Sequence, residues 1–383
     1  MSDSQIPNCA EVLVVGGGPA GLSAAIALRQ RGVDVVVVDA LRPPIDKACG
    51  EGLMPDSRGE LASLGISLGP ADGKEFRGIH FANRNSGRTD CVTAQFANGA
   101  GLGVRRVRLH EALIERALAL GVQLRWGVHV ELRQRGEVQV DGRPCAYGYL
   151  VGADGQASGV RRWARLEAGS TISRRFGFRR HFRVRPWSEN VEVHWGACGQ
   201  AYVTPVGEEE LCVATIASDP QVRMVQVVDS IPYLREALRG QDTTSQQRGA
   251  ITTTRRLRCV ARDRVALIGD ASGSADAITG EGLAMVFRQA QLLADAIEVG
   301  NLSHYAAGHP AILHLPMTMA RMMLLMDRWP LFRNRAMRVL ASEPALFSRL
   351  LEVHMGAESL PRFVRQDGLH LGWRMLVPSA ART

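Results

Sequence analysis

The residues whose spacing most clearly implies chemistry stand at the start of the 383-residue chain, where Gly16-Gly17-Gly18-Pro19-Ala20-Gly21 matches G-x-G-x-x-G. The pattern carries weight when a strand precedes it and a helix follows. Gly16 would permit the tight turn, Gly18 would let backbone approach a pyrophosphate, and Gly21 would let helix and strand touch with no side chain between them. A helix opening at Pro19 and Ala20 would offer free N–H groups and a positive dipole end to phosphates. Asp39, 23 residues beyond Gly16, can accept hydrogen bonds from both ribose hydroxyls of an adenosine and disfavours a 2′-phosphate. The unit specifies a dinucleotide, and both NAD and FAD satisfy it.

The elements that must position these residues are legible around them. Val12 to Val15 and Val35 to Val38 are continuous apolar runs, suited to parallel strands covered on both faces. An alanine-rich helix lies between them, so Glu11 to Asp39 reads as a βαβ unit. A helix follows over Val107 to Leu120, with Leu109, Leu113, Ala117 and Leu120 on one face and Gly121 after it. Val128 to Val140 alternates like a hairpin turning at Gly136, and Tyr149 to Gly152 returns a strand to the sheet. From Thr171 to Ile251 short alternating strands dominate, with one helix expected over Val222 to Leu238. The strand Arg264 to Ile268 and a helix after Gly282 return to the first domain. Beyond Pro310 the chain becomes helical and rich in methionine.

Composition narrows the class. Hydrophobic residues make up 46% of the chain, enough for a sizeable core. The net charge of +8 is mostly arginine spread along the sequence, and only 5% of residues are aromatic; this argues against a nucleic-acid binder, which gathers basic charge in one stripe. Seven scattered cysteines with no Cys-x-x-Cys spacing suggest neither a disulfide framework nor a metal site, and fit a cytoplasmic setting. No apolar run approaches the ~20 residues of a spanning helix.

Three further segments resemble the superfamily of flavoprotein monooxygenases (p-hydroxybenzoate hydroxylase-like) and geranylgeranyl reductases. Val151-Gly152-Ala153-Asp154-Gly155 is similar to its Asp-Gly motif, Val265 to Ala271 to its Gly-Asp motif, and Ala277-Ile278-Thr279-Gly280-Glu281-Gly282 to its glycine-rich turn before a helix, with Ile278 where the family commonly has proline. The resemblance implies bound FAD, with Asp154 and Gly155 near the flavin, Asp270 on the ribityl chain, and Thr279, Gly280, Glu281 and Gly282 at the pyrimidine edge, where a helix dipole would stabilise reduced flavin. Arg106 stands where the family has a cofactor-contacting arginine, with Arg105 and Arg108 as rivals. Cys49-Gly50-Glu51 resembles the Cys-Gly-Glu segment of geranylgeranyl reductases, which would place Cys49 and Gly50 over the flavin ring and make Cys49 the candidate catalytic residue. No second cysteine lies near it in sequence, so a redox disulfide is not expected.

The implied fold is α/β: a Rossmann-like FAD-binding domain of the glutathione reductase βαβ type, with an inserted β-rich substrate domain and C-terminal helices. The FAD-binding parts are expected over 1–75, 101–168 and 255–310, substrate-domain strands over 76–100, the substrate domain over 169–254, and the helical region over 311–383. One dinucleotide fingerprint leaves NAD(P)H as a transient electron donor. Three activities fit the resemblance: a monooxygenase hydroxylating an aromatic, polyketide-derived or lipid-like molecule through a flavin hydroperoxide, which the sequence slightly favours; a reductase of prenyl or lipid double bonds; and a flavin carrier without turnover. The expected partner is a small apolar or aromatic molecule. The methionines from Met319 to Met326, interleaved with Arg321, Arg328, Arg333, Arg335 and Arg338, leave peripheral contact with the inner face of a membrane open. His181, His194 and Tyr202 are read as structural, and no side chain is singled out as a general base.

Overall fold

The structure, a computed structural model, describes residues 9–85, 88–133 and 137–376. Strand Cys9–Val15 occupies the middle of a six-stranded sheet, parallel to Val35–Asp39 on one side and Ala146–Gly152 on the other. Gln123–Trp126 and Val265–Leu267 extend the parallel set, and the short Ala261–Arg262 closes one edge antiparallel. Val12, Val14, Val35 and Val37 are buried because helices cover one face of this sheet, while Leu13, Val36 and Val38 on the other face pack against Val138, Val140 and their neighbours. Helix Pro19–Gln30 is buried nearly all round. It lies against the helices Arg106–Ala119 and Gly282–Glu298 in one core. Its composition follows from that position: Ala24, Ala25 and Ala27 permit close approach on every side.

Val130–Leu132 and Val138–Val140 pair antiparallel; the turn expected at Gly136 lies outside the described residues. The second layer is an eight-stranded sheet. Its order runs Gly273–Ser274, Arg248–Leu257, Gly169–Phe182, Glu210–Ala217, Gln200–Gly207, Asn190–Trp195, Gly78–Asn85 and Arg88–Gln95. Every pairing is antiparallel except that of Asn190–Trp195 with Gly78–Asn85. The single helix expected over 222–238 is two, Met224–Asp229 and Pro232–Ala237. Pro232 cannot donate an N–H and its ring would strike the carbonyl four residues back, so a new helix starts there.

The C-terminal helices are Leu302–Arg328, Pro330–Ser342, Pro344–His354, Leu360–Phe363 and Leu369–Leu376. The first contains Pro310 and Pro316, so residues 310 and 311 sit inside one helix. Proline opens the next two, where its missing N–H costs nothing. Their apolar faces cover the strands that begin at Gly78 and Arg88, with Phe81, Trp195, Met337 and Phe347 in one cluster. The methionine face is only partly covered: Met319 and Met326 are buried, Met323 is half-buried and Met322 is exposed. No helix among the described residues is long and apolar enough to cross a membrane.

Candidate functional site

The three parallel strands Cys9–Val15, Ala146–Gly152 and Val265–Leu267 deliver their C-terminal ends to one place. Gly16 has φ +114°, and a side chain there would meet the Ala153 carbonyl at 2.4 Å. Gly21 is the tightest point, since a Cβ would fall 1.8 Å from the Gly16 carbonyl. Gly18 differs from both: a Cβ there meets nothing within 4 Å. Two glycines therefore allow the protein to close on itself, and one borders open space at a helix N-terminus, where a phosphate fits. Asp39 holds the loop, its Oδ2 accepting the Gly17 N–H at 2.7 Å and its Oδ1 the Leu41 N–H at 2.8 Å. The carboxylate thus shapes the turn and keeps lone pairs for ribose hydroxyls. Pro19 begins the helix, and Ala20 approaches Gly269 of the Gly-Asp motif.

His110 was not singled out by sequence. It is buried, and its Nε2–H donates to the Gly17 carbonyl at 2.8 Å. Burial lowers its pKa from the ordinary value, so a neutral imidazole supports the loop from below.

Asp270 is solvent-accessible at the rim of the cleft, yet protein atoms crowd its carboxyl. That crowding raises its pKa, against the opposing pull of Gln156, Arg106, Lys47 and Arg161. The loop bearing it is braced from behind: Gln289 accepts the Gly269 N–H at 2.8 Å, and His309 and Ser272 lie 2.9 Å apart beneath it. Among the three candidate arginines the structure discriminates. Arg105 pairs with Glu210 and Arg108 with Asp72. Arg106 pairs with no acid among the described residues, its Nε is buried without a partner, and its charge acts on both Asp270 and His110. Asp154 caps the helix Gly159–Trp163, accepting from Gly159 and Val160 through Oδ2, while its Oδ1 is buried and unpaired. Gly155 has φ +77° and adjoins open space. An uncommitted guanidinium, an open glycine edge and a helix N-terminus form a donor set that fits the pyrophosphate of a dinucleotide.

The other end of the cleft is built by side chains. Cys49-Gly50-Glu51 lies where the two sheets meet. Gly50 is open to the cleft and its carbonyl accepts from Thr204 at 2.8 Å; Cys49 is half-buried, with its Sγ 3.4 Å from the Glu51 N–H. Glu51 adopts φ +60°, a left-handed conformation unusual for a residue with a side chain. The strain turns its carboxylate into the protein. Oε2 meets His181 Nε2 at 2.5 Å, Oε1 accepts the Arg106 N–H at 3.0 Å, and Arg179 stands 3.7 Å away. Arg179 also pairs with Asp46, and His181 Nδ1 lies 2.7 Å from the half-exposed hydroxyl of Ser245.

Cys212 completes this cluster. Burial pushes its thiol pKa up, reinforced by Glu51 and Cys49. It donates to the Cys49 carbonyl at 3.7 Å, so a second cysteine that sequence separation concealed is close in space. Glu51, His181 and Cys212 could face a metal ion, but the acid and imidazole already bond to each other and Arg179 adds positive charge beside them. The arrangement suits a hydrogen-bonded network better than a cation.

The turn before helix Gly282–Glu298 follows the expected course. Gly280 has φ +72°, and a side chain on Gly282 would meet nothing within 4 Å. Ile278 replaces the family's proline, and its N–H is used: Asp276 Oδ1 accepts it at 3.1 Å. Tyr202 is half-buried and donates to the Ile278 carbonyl at 3.1 Å; desolvation by the surrounding protein pushes its phenol pKa up. Arg175 ties Asp276 to Asp327 of the long C-terminal helix. Glu281 is buried beside His354, whose Nε2 also reaches the Thr279 carbonyl at 3.1 Å; burial raises the Glu281 pKa. His194 bonds Glu192 at 2.8 Å and stacks on Tyr233, away from this cleft's network.

Comparison with known proteins identifies the family and the fold. Residues 9–298 match the FAD binding domain family. A menaquinone reductase of Mycobacterium tuberculosis is 27% identical over 326 residues, covering 78% of this chain and 79% of the relative. A 12-dehydrotetracycline 5-monooxygenase/anhydrotetracycline 6-monooxygenase of Streptomyces rimosus is 34% identical over 161 residues, covering 40% and 32%. The solved structure of a flavoprotein/dehydrogenase from Cytophaga hutchinsonii superposes with a TM-score of 0.79 at 18% identity, covering 96% of this chain and 98% of that one, and shares the fold. The glycine loop, its acid and the two strand-end motifs thus have a common explanation: this chain belongs to the FAD binding domain family and is an FAD-dependent oxidoreductase.

Proposed function

We propose that this protein reduces a carbon–carbon double bond in an apolar, lipid-like molecule, using NAD(P)H as a transient electron donor. The observation that carries the reading is the Cys49–Glu51 loop. Its thiol is half-buried at the junction of the two layers, beside a buried Glu51–His181 pair that ends at the half-exposed Ser245. Saturating a double bond needs a hydride on one carbon and a proton on the other. FAD, when bound, would supply the hydride; Gly18, Arg106, Asp39 and Asp270 would hold it. Cys49 would place a proton on the substrate, and the hydrogen-bonded Glu51, His181 and Ser245 beside it would carry its replacement from solvent. The apolar surroundings, with Met54, Ile278 and Met323 near the Gly280 turn, would exclude water. The match to a menaquinone reductase over most of both chains supports this reading.

A second reading, hydroxylation of an aromatic or polyketide-derived ring, is favoured by the higher identity to the tetracycline monooxygenase over a shorter span. Anaerobic turnover separates the two. NAD(P)H-reduced enzyme mixed with a polyprenyl ligand should return to its oxidised spectrum without oxygen and yield a product heavier by one H2. A product that gains an oxygen atom, formed only in air, would replace the reductase with the monooxygenase. Under the reductase reading, Cys49→Ala keeps flavin reduction by NAD(P)H and loses product.

A further inference from the structure

The large apolar side chains left at the surface are unevenly placed: nine of the fifteen among the described residues fall between Met322 and Leu376. Leu331, Leu369 and Leu376 are 86%, 87% and 85% exposed, and Trp329 and Trp373 are 55% and 56% exposed. Leu369, Trp373 and Leu376 follow i, i+4, i+7 spacing on a helix with no buried residue, so they form one uncovered stripe. Met322, Val364 and Leu369 join Phe363 and Leu371 around an open apolar groove of about 610 Å³, which Arg365 also lines. A concentration of this kind marks an interaction surface.

Charge identifies the partner. Residues 311–376 hold nine arginines and five acids. Four of those acids are engaged: Asp327 with Arg175, Glu343 with Arg374, and Glu358 and Asp367 with Arg349. Glu352 is half-buried. Arg321, Arg328 and Arg365 are exposed and form no ion pair among the described residues. A second copy seated here by two-fold symmetry would set like charge against like. An anionic bilayer offers acyl chains to the leucines, an interface to the tryptophans and phosphates to the arginines.

We propose that the C-terminal helices dock this protein on an anionic membrane surface through Met322, Trp329, Leu369, Trp373 and the unpaired Arg321 and Arg365. Helix Pro344–His354 packs by Leu350 against the groove and reaches the Thr279 carbonyl with His354, so one element joins the membrane face to the turn at the candidate flavin edge. The docking deepens the reductase reading by naming the source of its apolar substrate, and rests on that reading only for this link.

The test is flotation of the full flavin-loaded chain with vesicles of phosphatidylcholine alone or mixed with phosphatidylglycerol. Wild-type protein should float with the anionic vesicles and far less with neutral ones. L369E/W373E and, independently, R321E/R365E should each reduce the floated fraction at least about tenfold, with circular dichroism and flavin absorbance unchanged. Wild-type protein that stays at the bottom with anionic vesicles overturns the proposal, as does flotation indifferent to both double variants. Dimerisation in light scattering that L369E/W373E abolishes, without flotation, assigns the face to a second copy instead. Turnover of a detergent-dispersed polyprenyl substrate is measured separately: its failure alongside intact flotation removes the reductase reading and leaves the docking standing.

Discussion

The two ends of the candidate flavin cleft are made of different materials. The phosphate end is backbone: Gly16, Gly18 and Gly21 set where chain can pass, and Asp39 pins the loop by accepting the Gly17 N–H. The ring end is side chain: Glu51, Arg179, His181, Cys212 and Ser245 come from separated segments and meet in a buried network. Backbone geometry is set by residues adjacent in sequence, so the first end is local and self-contained. The second exists only once the two sheets have packed, so its strength depends on tertiary context.

Substitutions should expose that contrast. Gly21→Val has the largest expected effect. Its Cβ would overlap the Gly16 carbonyl at 1.8 Å, and neither backbone can yield, so a loss of about 4 kcal/mol or more should appear as insoluble or unfolded protein. Gly18→Val, three residues away, projects into open space. It should fold, with flavin content down at least about tenfold because the side chain fills the pyrophosphate position. If both variants behave alike, the division of glycines into self-packing and ligand-facing roles is wrong. Asp270→Ala should likewise give folded protein with little flavin; full occupancy in that variant would remove Asp270 from the cofactor site.

At the ring end, His181→Leu should leave flavin bound and cost stability instead. The substitution strips Glu51 of its 2.5 Å partner while Arg179 remains nearby. The expected loss is about 2 to 3 kcal/mol, read as a lower denaturant midpoint with flavin absorbance retained. Loss of flavin with stability intact would mean that the network serves the cofactor directly.

This difference in material also explains what sequence could reveal. The βαβ unit, Asp39 and the Gly-Asp and Asp-Gly motifs were legible because each places its chemistry within a few residues of a strand end. The FAD-binding fold followed from them, and only the structure shows that Arg105 and Arg108 are paired with acids while Arg106, among the described residues, is not. Cys212 and His181 gave no such signal, lying on strands where alternation explains any buried residue. The one local clue was Glu51 between two glycines; its positive φ is visible only in the structure. Pro232 did carry a readable signal, and weighing its missing N–H would have divided the 222–238 helix correctly.

The smallest effect concerns the brace behind the Gly-Asp loop. His309 is buried against Ser272 and Gln289, and burial lowers its pKa from 6.5 to about 4. The unfolded chain regains the ordinary value, so between pH 6.5 and 4 it binds a proton that the folded chain refuses. The stability from a neutral His309 is therefore complete above about pH 6.5 and declines as pH falls toward 4. At pH 5.5 the loss is about 1 kcal/mol, or about 2 °C in melting temperature for a chain of this size. His309→Gln keeps a polar partner for Ser272 but cannot titrate. Its melting temperature should be lower than wild type at pH 7.5 and fall less steeply down to pH 5. Parallel curves for the two proteins would place the acid sensitivity elsewhere, with the crowded carboxyls of Glu281 and Asp270 contributing no such loss, because raised carboxyl pKa values favour the folded state as pH falls. Flavin release tracked in the same titration would then show whether the brace or the pyrophosphate loop yields first.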